Sequence, residues 1–373
     1  MKTFRCYCGN TVYFENSECL NCGRRLGFLP QYGVLSALER VEGRRWRALH
    51  PLAQGSEHRM CNNFEFEMVC NWMVADEESH AFCRACRLNH VIPNLNDLRS
   101  RVHWQRLEEA KRRLIYTLYR LGLPVQGRTE DPQHGLAFEF LEGADSGSEF
   151  FDGVVAQQVI TGHRHGIITI NVAEADSSVR EGMREKMQEQ YRTLLGHFRH
   201  EVGHYYWQRL IEDSRWLNDF RTLFGDERAD YDSAMAGYYQ NGAPPDWQRT
   251  HISAYAWSHP WEDWAESWAH YLHMTDTLET AHDFGFSLNG VPLRALLLEP
   301  ADPQQDAPAL QASPESSFEE LREDWVHLTN ALNALNRSMG LPDAYPFTPS
   351  PLAGDKLRFV HTIIADWRNR AVG

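Results

Sequence analysis

The pentapeptide His200-Glu201-Val202-Gly203-His204 holds two imidazoles and a carboxylate at a spacing that suits metal-assisted hydrolysis. On a helix, residues i and i+4 project from one face, one turn apart. His200 and His204 can then take adjacent corners of one zinc ion. Glu201 lies one residue round, beside the position left open for water. Zinc brings the pKa of such a water to about 7, so a carboxylate can take its proton at neutral pH. The flanking apolar stripe, Leu194, Leu195, Phe198, Val202, Tyr205 and Tyr206, makes the segment an amphipathic helix. His197 falls on the same face, two turns before His204, and is a further candidate for the site.

A catalytic zinc needs a third protein ligand. Metzincins place a histidine six residues after the second histidine, with a glycine between. Those positions here are Leu210 and Trp207, which excludes that class. The segment running from Tyr255 to Tyr271 offers Glu262 and Glu266, again i and i+4. Pro260 suits a first helical turn, and Trp264, Trp268 and Leu272 help to bury the helix. One carboxylate can bind zinc while the other accepts the outer N–H of a ligand histidine. Asp226, Glu227 and Asp230 are rivals, at 22, 23 and 26 residues after His204. Asp226 is alternatively a partner for an arginine or for a histidine N–H.

All eight cysteines precede residue 87, as Cys6-x-Cys8, Cys19-x2-Cys22, Cys61-x8-Cys70 and Cys83-x2-Cys86. The first ten residues have no apolar stretch of the secretory kind, so the chain is expected in the cytoplasm, where disulfides are disfavoured. Two zinc sites of four cysteines each fit the spacing, with short strands carrying metal-binding turns. Gly9 and Gly23 follow the knuckles, and Phe4, Val12, Tyr13 and Phe14 offer a small strand core. Sequential filling groups Cys6, Cys8, Cys19 and Cys22, then Cys61, Cys70, Cys83 and Cys86; crossed filling stays open. Together with the histidine site this makes three zinc ions, one catalytic and two structural.

Charge divides the chain in the same way. Residues 1–128 carry 19 of the 37 Lys and Arg but 13 of the 51 Asp and Glu, a balance of +6 that leaves −20 for the remainder. Two four-thiolate zinc sites would reduce the +6 to about +2. The run of Arg24, Arg25, Arg40, Arg44, Arg45 and Arg47 then reads as a solvated face or a docking surface for the acidic module. Nucleic acid is not an expected partner at a net charge of −14. No stretch of 18 apolar residues exists, so no membrane span is expected.

The remaining elements must hold these groups. Periodicity predicts a helix over 95–121, ended by Gly122 and Pro124, and a strand over 166–172. Ser178 and Glu181 resemble a capping box opening one helix that runs to Leu210. Segments 142–149 and 300–317 read as loops, the second rich in proline, and a last helix starts near Ser317. The expected class is α+β: a zinc-ribbon module over 1–93, then a mainly helical domain with a small sheet over 94–373.

Glu262-Asp-Trp-Ala-Glu266, with Tyr255 seven residues before, resembles the gluzincin pattern of the anthrax lethal factor type. The resemblance implies that Glu262 ligates zinc, Glu266 supports a ligand from behind, and Tyr255 stabilises the transition state. More broadly, the chain resembles bacterial zinc-binding metallopeptidases with an N-terminal zinc-ribbon domain. That likeness is carried by Cys6 to Gly23, Cys83 to Leu95, His200 to His204, Phe224-Gly-Asp-Glu-Arg228 and Tyr255 to Tyr271. It implies a zincin-like fold and hydrolysis of a peptide or protein substrate, with Glu201 as general base. In zincins a strand such as 166–172 often pairs with extended substrate along its edge. The alternative is a scaffold that binds a partner through a peptidase-like domain without cutting it.

Overall fold

The computed structural model describes residues 2–143, 161–186, 193–288, 290–295, 298–299, 311–312 and 317–372. It is a mixed α/β chain, with a cysteine-bearing β region first and a helical region after it. Strands β1 (Thr3–Arg5) and β2 (Thr11–Tyr13) form a hairpin around the first cysteine knuckle. Its turn needs Gly9 at φ 84°, in the left-handed region where a side chain is strained. A five-stranded antiparallel meander follows: β3 (Leu26–Leu29), β4 (Val34–Arg40), β5 (Arg45–Ala48), β6 (Glu57–Met60) and β7 (Met73–Ala75). Phe14, Phe28 and Trp72 fill its core against Tyr116 of the first long helix. The short helix α1 (Asn62–Glu65) starts at Cys61. Within the arginine run, Arg44 pairs with Glu65, and Arg45 and Arg47 with Glu57.

Helix α2 (Leu98–Arg120) is capped by Asp97, whose side chain accepts the Ser100 N–H at 2.7 Å. It therefore starts three residues later than the apolar pattern from Leu95 predicts. A second sheet takes the order β10 (Gly162–Arg164), β11 (Ile167–Asn171), β9 (Ala137–Leu141), β8 (Asn89–Val91). Strand β8, which precedes the boundary expected near residue 93, pairs parallel with β9. The expected strand over 166–172 is β11, but it lies between β10 and β9, so it has no free edge to pair with an extended substrate.

The single helix expected from Ser178 to Leu210 is two helices. Helix α3 (Ser177–Lys186) opens at Asp176, whose carboxylate accepts both the N–H and the hydroxyl of Ser178. Glu181 bonds Arg184 instead of closing a capping box. Helix α4 (Leu194–Leu210) has its own cap: Thr193 is extended, and its hydroxyl accepts the Gly196 N–H at 3.0 Å. That leaves the His200 segment on a separate, locally started helix. Beyond it come α5 (Leu217–Phe224), α6 (Tyr231–Asn241), α7 (Pro260–Asp283), α8 (Phe318–Ser338) and α9 (Pro351–Val372). Ser317 and Glu320 form the capping box of α8. The sequence reading has no counterpart for α9. Residues 144–149 and most of 300–317, read as loops, lie outside the described residues.

Helices α4 and α7 cross with almost no space between them. A Cβ on Gly203 would stand 3.0 Å from the Ala265 Cα and 3.2 Å from the Trp268 Cβ. Trp264 donates its indole N–H to the Gly203 carbonyl at 2.9 Å. Buried ion pairs and a hydroxyl hydrogen bond tie these helices to each other and to their neighbours. Asp276 on α7 binds Arg199 of α4 and Thr117 of α2, Glu279 binds Arg120, and Lys356 of α9 reaches Asp263 at 2.5 Å.

Candidate functional site

The close crossing sets His200, His204 and Glu262 face to face. Their ligand atoms all lie within 4.8 Å of one another, and all three side chains are buried. The His200 Nε2 is 2.9 Å from one Glu262 oxygen, and the His204 Nε2 is 3.5 Å from the other. On its far side, His200 Nδ1 meets Glu266 at 2.7 Å. The second Glu266 oxygen accepts the Ser253 hydroxyl at 2.6 Å. A carboxylate only accepts, so Glu266 calls for N–H at Nδ1. The Nε2 lone pair then faces the Glu262 oxygen, and only a cation or a proton reconciles the two. Burial disfavours the charge on Glu266, yet the His200 hydrogen bond brings its pKa down to about 2. Glu262 is likewise held well below the carboxylate range, against its burial, by the two histidines.

The donor set fits zinc. Bonds of about 2.0–2.1 Å at tetrahedral angles place ligand atoms roughly 3.3 Å apart, close to the separations seen. The cysteines fit too, and they group sequentially: Cys6, Cys8, Cys19 and Cys22 in one set, Cys61, Cys70, Cys83 and Cys86 in the other. Sulfurs stand 3.6 Å apart in Cys6–Cys22, 3.7 Å in Cys8–Cys19 and 3.8 Å in Cys70–Cys83. That is the edge, about 3.8 Å, of a tetrahedron with zinc–sulfur bonds of roughly 2.3 Å, and far from a disulfide. Burial pushes the Cys61 and Cys83 thiols well above their ordinary pKa, so ionising all four would require a cation. Arg112 and Lys111 of α2 are buried near this second set, Lys111 in a 2.7 Å ion pair with Glu108.

Tyr255 lies in a 3-10 turn (Tyr255–Ser258) just before α7, its ring centroid 5.8 Å from that of His200. Burial pushes its hydroxyl well above the ordinary tyrosine pKa, so it stays a donor. Glu201 is buried, and its carboxylate meets His197 Nε2 at 3.2 Å. His197 Nδ1 in turn meets Glu174 at 2.6 Å.

Asp226, expected near the metal, is half exposed and grips Arg228 through its N–H and guanidinium. Glu227 holds Arg221, and Asp230 caps α6 by accepting the Ser233 N–H at 2.8 Å. This cluster organises the turn between α5 and α6 instead of facing the histidines. Sequence reasoning missed Tyr231, whose hydroxyl donates to Glu262 at 2.8 Å. Its only signal is its place directly after the capping Asp230. Sequence reasoning also missed His163 of β10, stacked on His204 with centroids 6.4 Å apart, and Glu174, which no motif marks.

Comparison with known proteins agrees with this layout. A family described as "putative zinc-binding metallo-peptidase" matches residues 100–363, and a zinc-ribbon domain matches residues 3–97. Similar curated proteins come from Mycobacterium bovis and from two strains of Mycobacterium tuberculosis. Each is 41% identical over 366 residues, covering 98% of this chain and 95% of the relative, and each is described as an uncharacterized protein. No solved structure matches the chain significantly. With the family match covering most of its length, the chain belongs to the zinc-binding metallopeptidase family, preceded by a zinc-ribbon domain.

Proposed function

We propose that the chain is a gluzincin-like zinc peptidase of the cytoplasm, dividing near residue 93 into a ribbon module and a catalytic domain. His200, His204 and Glu262 hold the catalytic ion, and each four-cysteine set holds a structural one. The observation that carries the reading is Glu262 on α7 meeting both histidines of α4. A surface helix has no reason to bury that carboxylate against two imidazoles. Zinc, when bound, supplies a Lewis acid for the scissile carbonyl and acidity for a water. Glu201 would take a proton from an attacking water and return one to the leaving amine. Burial would raise the Glu201 pKa, but the His197 hydrogen bond keeps it low, so the carboxylate is ready to accept. Tyr255 donates to the carbonyl oxygen as negative charge builds there. Glu266 fixes the ring of His200 and the tautomer that offers Nε2 to the metal.

The substrate is a peptide or protein. Incubating the purified full-length chain with a peptide library, with and without chelator, tests the reading. Cleavage that stops with chelator and returns with zinc is expected. Intact peptides at every zinc level would instead favour a scaffold that binds without cutting.

A further inference from the structure

His197 lies between two buried carboxylates. Its Nδ1 is 2.6 Å from Glu174 and its Nε2 is 3.2 Å from Glu201. Carboxylates accept and do not donate, so the ring serves both best with a hydrogen on each nitrogen. Glu174 is itself fixed. It sits in the 3-10 turn Val172–Ala175 that follows β11, its other oxygen accepts the Thr161 hydroxyl, and its carbonyl accepts from Arg180 at 2.6 Å. The Thr161 hydroxyl also accepts the Asn171 N–H at 3.1 Å. A chain of hydrogen bonds thus runs from the sheet, through Thr161 and Glu174, to His197, whose other nitrogen makes a 3.2 Å ion-pair contact with the carboxylate of Glu201.

We infer that His197 is a positioning residue for Glu201: clamped by Glu174, it binds one carboxylate oxygen and leaves the other free to take a proton. A glutamate side chain has three rotatable bonds, and a general base works only within about 2.6–3.2 Å of its proton. Holding one oxygen removes most of that freedom before substrate arrives. The negative charge of Glu174 balances the ring, so His197 orients Glu201 without cancelling its charge. The chain also explains what the sheet does for α4: it sets the base, while α7 sets the metal. The role in turnover rests on the peptidase reading; the geometry does not.

The test uses the zinc-loaded full-length protein and acetohydroxamate, which loses a proton as it chelates a metal and so reports an acceptor beside the ion. Binding is measured by calorimetry, alongside zinc content and melting temperature. His197→Ala is expected to weaken binding about 10-fold with zinc retained, the lower range for a lost charge-assisted hydrogen bond. His197→Gln, whose amide NH2 can still donate to one of the two carboxylates and which is the milder change should the alanine variant fold poorly, is expected to recover part of that loss. In a Glu201→Gln background, His197→Ala should add nothing. Unchanged binding in His197→Ala would overturn the inference. So would an equal loss in the Glu201→Gln background, since His197 would then act through packing. If the wild type cleaves peptides, the same pattern is expected in kcat with KM little changed. If it cleaves none, the peptidase reading falls, and the hydroxamate measurement still decides the role of His197.

Discussion

At Glu262 one carboxylate serves three partners, His200, His204 and the hydroxyl of Tyr231. A direct ligand and its supporters should fail differently when removed. Glu262→Ala takes away one of three protein ligands, and elemental analysis should show about one zinc lost per chain. Glu266→Ala only frees the ring of His200, so metal affinity or activity should drop about 10–100-fold. Tyr255→Phe should keep all its zinc and lose turnover, because that hydroxyl matters as charge develops on the carbonyl oxygen. Full zinc in Glu262→Ala, with zinc lost from Asp226→Ala or Glu227→Ala, would return the third ligand to the earlier acidic turn. The meeting of His200, His204 and Glu262 was legible because each helix carries its polar groups at i and i+4, His200 with His204 and Glu262 with Glu266. Tyr231, His163 and Glu174 were not legible. Each reaches the site from another element, and no local spacing records where two distant segments meet.

At the scale of elements, the site depends on how closely α4 and α7 approach. Gly203 is the fourth residue of the pentapeptide, and its missing side chain lets the Ala265 backbone come in. Gly203→Ala should push the helices apart and destabilise the fold by roughly 1–3 kcal/mol, the usual range for overpacking. Thermal melts would read that loss, and weaker zinc retention should accompany it. A variant with wild-type stability and zinc would mean that the crossing can give way. Helices α2, α7 and α8 were legible from apolar spacing and start signals such as Pro260, whereas α9 was not. The break before α4 was not, since Thr193 is one modest cap inside a stretch free of proline. The position of β11 was hidden for another reason: pairing order is set by distant strands, so nothing in 166–172 tells an inner strand from an edge.

Over the whole molecule, the three clusters proposed to hold zinc, two of cysteines and one of histidines and a glutamate, should govern the response to chelator. Protein purified without chelator should approach three zinc ions per chain. Mild chelation should remove the histidine-bound ion first, because thiolate cages are closed whereas a catalytic ion keeps an open position. A value near one would sink both cysteine sites. Acid acts through buried histidines. His270, which shares a 2.8 Å hydrogen bond with Tyr345, is brought down to a pKa of about 4 by burial. The unfolded chain takes up that proton near 6.5, so stability present above pH 6.5 is lost as pH falls towards 4. His270→Gln should flatten that slope in denaturation midpoints measured across the window. The measurement that bears most directly on the central claim is peptide hydrolysis by Glu201→Gln, with its zinc counted in the same sample. The substitution keeps size and packing and removes the base. Zinc should stay at the wild-type level while hydrolysis falls by at least about 10²-fold. Cleavage at the wild-type rate with zinc in place would contradict the assignment of Glu201 and the peptidase mechanism built on it.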